Sequence, residues 1–512
     1  MVAKLLTTTV AAPGFMGLNT QDSSVSLEAG YATVANNCVI DKFGRIGARK
    51  GWTPSHAVNA DLSTANVKAI GELIDNAGNS YIVAAGNNKL FKLAGSTLTQ
   101  LTYGGGGTAP TITDSNWQMA PLNGVLYIYQ AGHDPLVFDP AVSSTTFRRI
   151  SEKTGYVATV SSNNVVISAY GRTWSANNAS VKSTVQFSDL LSGHVLNTGT
   201  AGTLDVSQVW PNGAEEIIAL AAHNNFLIIF GRRQILIYSN ATDPNNLTLS
   251  DAITGFGCLA RDSVVTTGGD VLFLSDSGVR SLMRTIQEKS APLRDISANV
   301  RDDLVLEASL ETAADIKAVY SDKEAFYLLS LPTRQIVYCF DMKSQLPNGA
   351  NRVTTWDGIV PTALKYTRNK DILVGKAGYV GSYAGYKDNT DGYFMKYYTN
   401  YFDFQAPTTI KIMKKVGVTI VGGQGYSVSL RFGFDYNDIF NLRQFDLANA
   451  TIAEYNIAEY NIGEYGGSVF DNKIINIGGS GKVIQLGFET TVFNKSVSIQ
   501  KLDVYVKTGK TR

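Results

Sequence analysis

The sequence predicts an all-β protein: a β-propeller of six or seven blades, preceded by an N-terminal arm and followed by a C-terminal β-sandwich or small-barrel domain. Three observations carry this reading. The first is Ala221–Ser239, AAHNNFLIIFGRRQILIYS, two strands about a Gly231-Arg232-Arg233 turn. Its run Phe226-Leu227-Ile228-Ile229-Phe230 does not alternate, so both faces of that strand need cover. A lone hairpin is only marginally stable in water, so it needs similar neighbours on either side. The second is recurrence. Tyr81–Leu93, Val125–Phe138, Val165–Trp174, Val271–Met283, Ala325–Phe340 and Asp371–Tyr383 each repeat the pattern of apolar strand, polar turn and second strand, with starts 40 to 61 residues apart. That is the spacing of propeller blades, each sandwiched between two others. The third is composition. With 48 Gly, 13 Pro, 22 Phe and 25 Tyr in 512 residues, the profile is strand- and turn-rich. The best helical candidate is Ser297–Ala314, placed in a blade connection.

The elements follow in chain order. Residues 1–55 form the arm. Pro13–Trp52 is polar and Gly-punctuated, with no core of its own, so it needs another surface to lie on, such as a neighbouring subunit. Within it, Arg45-Ile46-Gly47-Ala48-Arg49 alternates like an edge strand with its charges outward. Residues 56–405 hold the blades. The longest step, from Val165 to Phe226, predicts an insertion near 175–212. Gly104–Gly107 is a loop, and Met395–Phe404 either closes the ring as a final strand or leads out of it. From Ala406 to 512, cleaner alternation over Lys411–Val421, Tyr426–Phe434, Lys482–Phe488 and Val497–Val506 marks sheets with one wet face. A slip in the alternation near Lys501 reads as a bulge. Inside this domain, near 450–470, Ala453–Tyr465 (AEYNIAEYNIGEY) repeats a five-residue word that fits neither strand nor helix. It is a surface excursion, or a protruding loop presenting Tyr455, Tyr460 and Tyr465 to a partner.

Charge and motifs narrow the function classes. The formal net charge of +1 speaks against a protein that grips nucleic acid through excess positive charge. Cys38, Cys258 and Cys339 are far apart and odd in number, which fits three buried small hydrophobes in a reducing compartment rather than a disulfide framework. No run of eighteen apolar residues is present, and MVAKLLTTTVAAPG makes a poor secretory leader. None of His56, His133, His194 and His223 has metal-ligand spacing. Gly478–Val483 (GGSGKV) lacks the glycine spacing and hydroxyl of a phosphate loop, and Asp388–Gly392 (DNTDG) lacks the glutamate that closes a calcium loop. The enzyme alternative is a propeller glycosidase, for which Glu215, Glu216, Asp276, Asp322 and Asp341 are the carboxylates at hand. Acidic turns also arise for local backbone reasons, so the reading is of a non-enzymatic chain without cofactor or metal. The basic residues Arg232 and Arg233, and Lys411, Lys414 and Lys415, are either solvated or contacts to DNA phosphates or an acidic partner. A propeller-type glycan-binding module would carry exposed aromatics at equivalent loops, and Trp117, Trp174, Trp210 and Trp356 do not occupy matching blade positions.

The two chain ends carry a resemblance. "GLNTQDS", "GYATVANNCV" and "GRIGARKGW" near the start, with "IQKLDVYVKTGKTR" at the end, resemble the tail nozzle proteins of short-tailed bacteriophages, also called tail tubular protein B or the DNA-stabilisation plug. The resemblance implies a virion protein of the viral tail, made in the host cytoplasm. Several copies, six by the family's pattern, would close into a ring below the portal and head-to-tail adaptor, beside tail fibre or spike proteins. The ring's lumen would retain packaged duplex DNA and conduct it without sequence-specific binding, meeting the host membrane only at infection. A near-neutral charge suits such a conduit, because each phosphate neutralised adds drag to release.

Overall fold

The structure is a computed structural model that describes residues 5–24, 26–113, 116–157, 162–287, 295–437, 440–447 and 470–509. Seven short antiparallel sheets succeed one another from Val67 to Tyr383. Blade 1 is Val67–Ile74, Ser80–Gly86, Lys89–Ala94 and Thr97–Gln100. Blade 2 is Trp117–Leu122, Val125–Gln130, Leu136–Phe138 and Thr146–Arg149, with Thr102–Tyr103 added in parallel at its rim. Blade 3 is Asn163–Ala169, Arg172–Asn178, Thr184–Phe187 and Gly202–Asp205. Blade 4 is Ala219–His223, Phe226–Phe230, Gln234–Ser239 and Thr248–Thr254. Blade 5 has three strands, Val265–Thr266, Val271–Ser275 and Gly278–Ser281. Blade 6 is Lys317–Ser321, Phe326–Leu331, Ile336–Gln345 and Asn351–Trp356. Blade 7 is Ala363–Tyr366, Ile372–Lys376 and Tyr379–Tyr383. The first strand of each blade packs on the first strand of the next, and blade 7 returns to blade 1, so the arrangement is a closed propeller of six four-stranded blades and a three-stranded one.

The apolar runs explain themselves at the seams. In Phe226–Phe230, Leu227 and Ile229 join Trp174 and Val185 of blade 3, while Ile228 and Phe230 join Val271 and Phe273 of blade 5. The strand alternates after all, between two dry faces. Each such fully buried side chain contributes about 1.5–3 kcal/mol of transfer free energy. The expected insertion near 175–212 is corrected: this stretch supplies most of strands two to four of blade 3. The hairpin Val165–Trp174 is made of strands one and two, whereas the other six repeats are strands two and three, and that offset produced the long step. The helix is Arg301–Ser309, inside the expected window and between blades 5 and 6.

Blade 7 takes its outer strand from the arm: Trp52–Pro54 pairs with Gly381–Tyr383 and closes the ring. Tyr393–Thr399 therefore leads out of the propeller, pairing with Tyr31–Asn36 on one side and Ile484–Val492 on the other. The C-terminal part is a β-sandwich. One sheet runs Phe470–Asn476, Lys411–Gly422, Val497–Thr508, with Leu5–Ala11 and Ile46–Ala48 along the far flank of the last strand. The other runs Asn441–Asp446, Ser427–Phe434, Ile484–Val492, Tyr393–Thr399, Tyr31–Asn36, and continues into blade 6. Val416, Val418 and Ile420 meet Leu430, Phe432, Leu486 and Phe488 between the sheets. The slip near Lys501 is a bulge: Thr419 faces Lys501 and Ile420 faces Ile499, leaving Gln500 unopposed.

The arm is thus built into its own chain. The expectation of outward charges at Arg45 and Arg49 is corrected: both are buried, Arg49 completely.

Candidate functional site

Two buried polar clusters and a set of surface charges are the chemistry this fold positions. The first cluster spans the mouth of the propeller axis. Arg261 and Asp262 lie in a single helical turn just before the first strand of blade 5. The Arg261 guanidinium donates to Asn164 Oδ1 of blade 3 (3.0 Å), to Asn116 Oδ1 (2.7 Å) and the Trp117 carbonyl (2.9 Å) at blade 2, and to Asp262 (2.8 Å). Lys317, the first residue of blade 6, donates to Asp262, to Asn116 Oδ1 (3.1 Å) and to the Ala314 carbonyl (2.9 Å). Lys68 of blade 1 pairs with Asp315 at 3.4 Å. Side chains that join blades 2 and 3 to blades 5 and 6 must cross the axis. Burial alone would push the Asp262 carboxyl up, but the Arg261 and Lys317 charges outweigh it and hold it down at about 2. The same burial pulls the Lys317 ammonium below its usual range.

The second cluster clamps the arm. Arg49 makes a two-pronged pair with Asp388 (2.7 and 2.8 Å), donates to Asn37 Oδ1 (2.8 Å) and the Asp357 carbonyl (3.1 Å), and stacks 4.0 Å from the Tyr393 ring centroid. Asp388 opens the DNTDG stretch, so the first oxygen ligand of the would-be calcium loop is occupied by a guanidinium.

The basic residues singled out in the sequence do not converge. Arg232 and Arg233 sit in the exposed turn between strands two and three of blade 4, where both reach Asp276 of blade 5, Arg232 at 2.8 Å and Arg233 at 3.8 Å. Lys411 is fully buried, and its ammonium donates to the Ala406 (2.5 Å) and Lys482 (2.6 Å) carbonyls; burial lowers its pKa. It is a structural cap on the sandwich, which corrects its reading as a surface contact. Lys414 is exposed on the same strand, and Lys415 lies 4.7 Å from the Tyr505 ring centroid. Tyr455, Tyr460 and Tyr465 lie outside the described residues.

The candidate carboxylates are dispersed too. Asp276 holds Arg232, Glu216 pairs with Lys182 (2.6 Å), Glu215 accepts from the Arg233 backbone N–H (3.1 Å), and Asp322 pairs with Lys370 (2.8 Å). Asp341 is buried beside Lys343 (3.4 Å) and Arg352 (3.7 Å), and burial raises its pKa. Glu215 and Asp276 meet at the Arg232-Arg233 turn, where each is taken up by that turn's backbone or guanidinium groups. Among the described residues no group of His, Cys, Asp and Glu has the geometry of a metal centre. The three cysteines are free and buried, the Cys258 thiol pushed up to about 12 by burial. All five tryptophans are buried: Trp52, Trp117, Trp174, Trp210 and Trp356.

Sequence reading missed Arg261, Asp262, Lys317 and Arg49. The signal available was a lone charge beside an apolar strand, as in Ile316-Lys317-Ala318-Val319, which is also what an exposed edge looks like.

The fold and these clusters define a β-propeller protein with a β-sandwich sewn onto its sixth blade. No protein-family model matches the chain, and no curated protein does. Among solved structures, similar folds include YCF48 from Cyanidioschyzon merolae (9% identity, 65% of this chain and 98% of that one, TM-score 0.40). The WD40 domain of Toxoplasma gondii coronin matches at 9% identity over 69% of this chain and 87% of that one, with TM-score 0.40. Kuenenia stuttgartiensis hydrazine synthase matches at 10% identity over 65% of this chain and 98% of that one, with TM-score 0.37.

Proposed function

We propose that the chain is a structural subunit of a short phage tail nozzle, a ring of identical copies that retains packaged duplex DNA and conducts it into the host. The observation that carries this reading, beside the resemblance at the chain ends, is the pair of open edges on the first sandwich sheet. Leu5–Ala11 flanks one side of that sheet and Phe470–Asn476 the other, and neither pairs further among the described residues. Both are antiparallel to their sheet neighbours, in the order Leu5–Ala11, Val497–Thr508, Lys411–Gly422, Phe470–Asn476, so the two edges run in opposite directions. A rotation about an axis along the strands keeps those directions. The Phe470–Asn476 edge of one copy then meets the Leu5–Ala11 edge of the next as an antiparallel pair, a head-to-tail contact that closes into a ring. Open edges are otherwise a liability that proteins cover or charge.

The duplex would run along the axis of the ring and not through the propeller, whose own axis is spanned by Arg261, Asp262 and Lys317. A propeller-type glycan-binding module is less well supported, because the buried tryptophans offer no indole platform. Electron microscopy of the full chain, alone and with its adaptor, with symmetry left free, tests the reading. A closed ring with a hole wide enough for a duplex supports it, and monomers in the presence of the adaptor overturn it.

A further inference from the structure

On the rim of blade 2 a cavity of about 100 Å³ opens between Leu136–Phe138, the loop that follows it, and Thr146–Arg149. Its lining includes Arg148, Lys153, Asp139, Ser143, Thr146 and Thr154. The charges in it are unequal. Asp139 is already engaged at both oxygens, Oδ2 by Lys153 (2.6 Å) and Oδ1 by the Ala141 backbone N–H (3.2 Å). Arg148 remains. Its Nε is fully buried with no hydrogen-bond partner, and its guanidinium makes no ion pair among the described residues. Arg148 is otherwise half-buried; leaving a buried N–H without a partner is costly, and a guanidinium at a small cavity matches an oxyanion. Thr146 and Thr154, residues able to supply uncharged donors, are also in the lining. The volume suits one tetrahedral anion rather than a polymer backbone. Lys92 closes the neighbourhood from blade 1 by donating to the Ser144 carbonyl at 2.5 Å, which ties the loop down from outside the cavity.

We propose that this cavity is a binding site for a phosphate group, as the free ion or as the phosphomonoester end of a small molecule. Arg148 is its two-pronged donor and Thr146 a hydroxyl donor, while Lys153 stays paired with Asp139 in the wall. The site lies away from the sandwich edges, so it stands or falls independently of ring formation.

The test is titration calorimetry of the full chain at fixed ionic strength, with inorganic phosphate and, separately, glycerol phosphate. Saturable binding is expected with a Kd on the order of 1 mM. R148Q should weaken it by about tenfold or more, as loss of a charged hydrogen-bonding pair does. R148K should fall between the two, because an ammonium keeps the charge but loses the fork. T146V should weaken binding severalfold and carries the test if R148Q folds poorly. Tighter binding of the ester assigns the site to a phosphorylated small molecule, and binding of inorganic phosphate alone assigns it to the free ion. Equal affinity in R148Q and the unmodified protein, or no saturation with either probe, would overturn the proposal.

Discussion

Replacing Arg49 by methionine keeps much of its length but removes the guanidinium that Asp388, Asn37 and the Asp357 carbonyl share. Breaking a buried pair strands the partner's charge, so R49M should lower unfolding stability by about 3–5 kcal/mol in denaturant titrations. R49K should not restore it, since an ammonium cannot make the two-pronged contact. The axial cluster gives a pH prediction. The Asp262 carboxyl sits at about 2 in the folded protein and near 3.9 when unfolded. A depressed carboxylate contributes stability that is present above the unfolded value and is lost as pH falls toward the folded one. The unfolding free energy should therefore drop between pH 4 and pH 2 by ~2 kcal/mol more in the unmodified protein than in D262N, which lacks the titrating group. Neither role was visible in the sequence. Arg45-Ile46-Gly47-Ala48-Arg49 has the alternation of an edge strand. What holds Arg49 is Asp388 and Tyr393, more than three hundred residues away, and alternation carries no information about so distant a partner.

At the scale of the element, most of the propeller was legible. Phe226–Phe230 is too uniformly apolar for a one-sided strand, and it is indeed covered by blade 3 through Leu227 and Ile229 and by blade 5 through Ile228 and Phe230. Phe230 packs 5.1 Å, centroid to centroid, from Phe273. F230A should cost about 3–5 kcal/mol by chemical denaturation, with an m-value close to that of the unmodified protein if the fold persists. A loss under 1 kcal/mol would mean that this seam is not the tight contact described here. The limit of legibility was phase. A hairpin of strands one and two looks the same in sequence as one of strands two and three, so blade 3 seemed to carry an insertion. Nor does a strand announce which sheet it joins: Tyr393–Thr399 has the pattern of a blade strand and pairs in the sandwich.

For the whole molecule, the arm marks where sequence reasoning ran out. Its polar, Gly-punctuated sequence pointed to another surface, and the surface its strands pair with is the same chain: the sandwich for Leu5–Ala11, its second sheet for Tyr31–Asn36 and blade 7 for Trp52–Pro54. Leu5–Ala11 and Phe470–Asn476 are the two edges of the first sandwich sheet left without a further partner among the described residues. Ile474, 62% exposed on the Phe470–Asn476 edge, is the residue to change. A lysine there is the kind of charge that blocks edge-to-edge pairing. I474K should leave the thermal midpoint within about 1 °C, as a surface substitution of small ΔΔG would, while shifting sedimentation from ring to monomer. A ring that survives I474K would move the subunit contact elsewhere.

The strand Trp52–Pro54 has a consequence for how the protein is made. It leaves the ribosome early, yet its partner strand, ending at Tyr383, emerges more than three hundred residues later. Leu5–Ala11 waits longer still, for Val497–Thr508. Synthesis at about 5–20 residues per second holds those N-terminal strands without partners for tens of seconds. Contacts so distant along the chain also make the last step of folding slow. Blades 1 to 6 can assemble in order as they appear, but the circle stays open, with apolar seams at both ends, until Tyr383 has emerged. Aggregation during expression is therefore expected to fall when translation is slowed or the temperature lowered, and to worsen in chains that stop before residue 383.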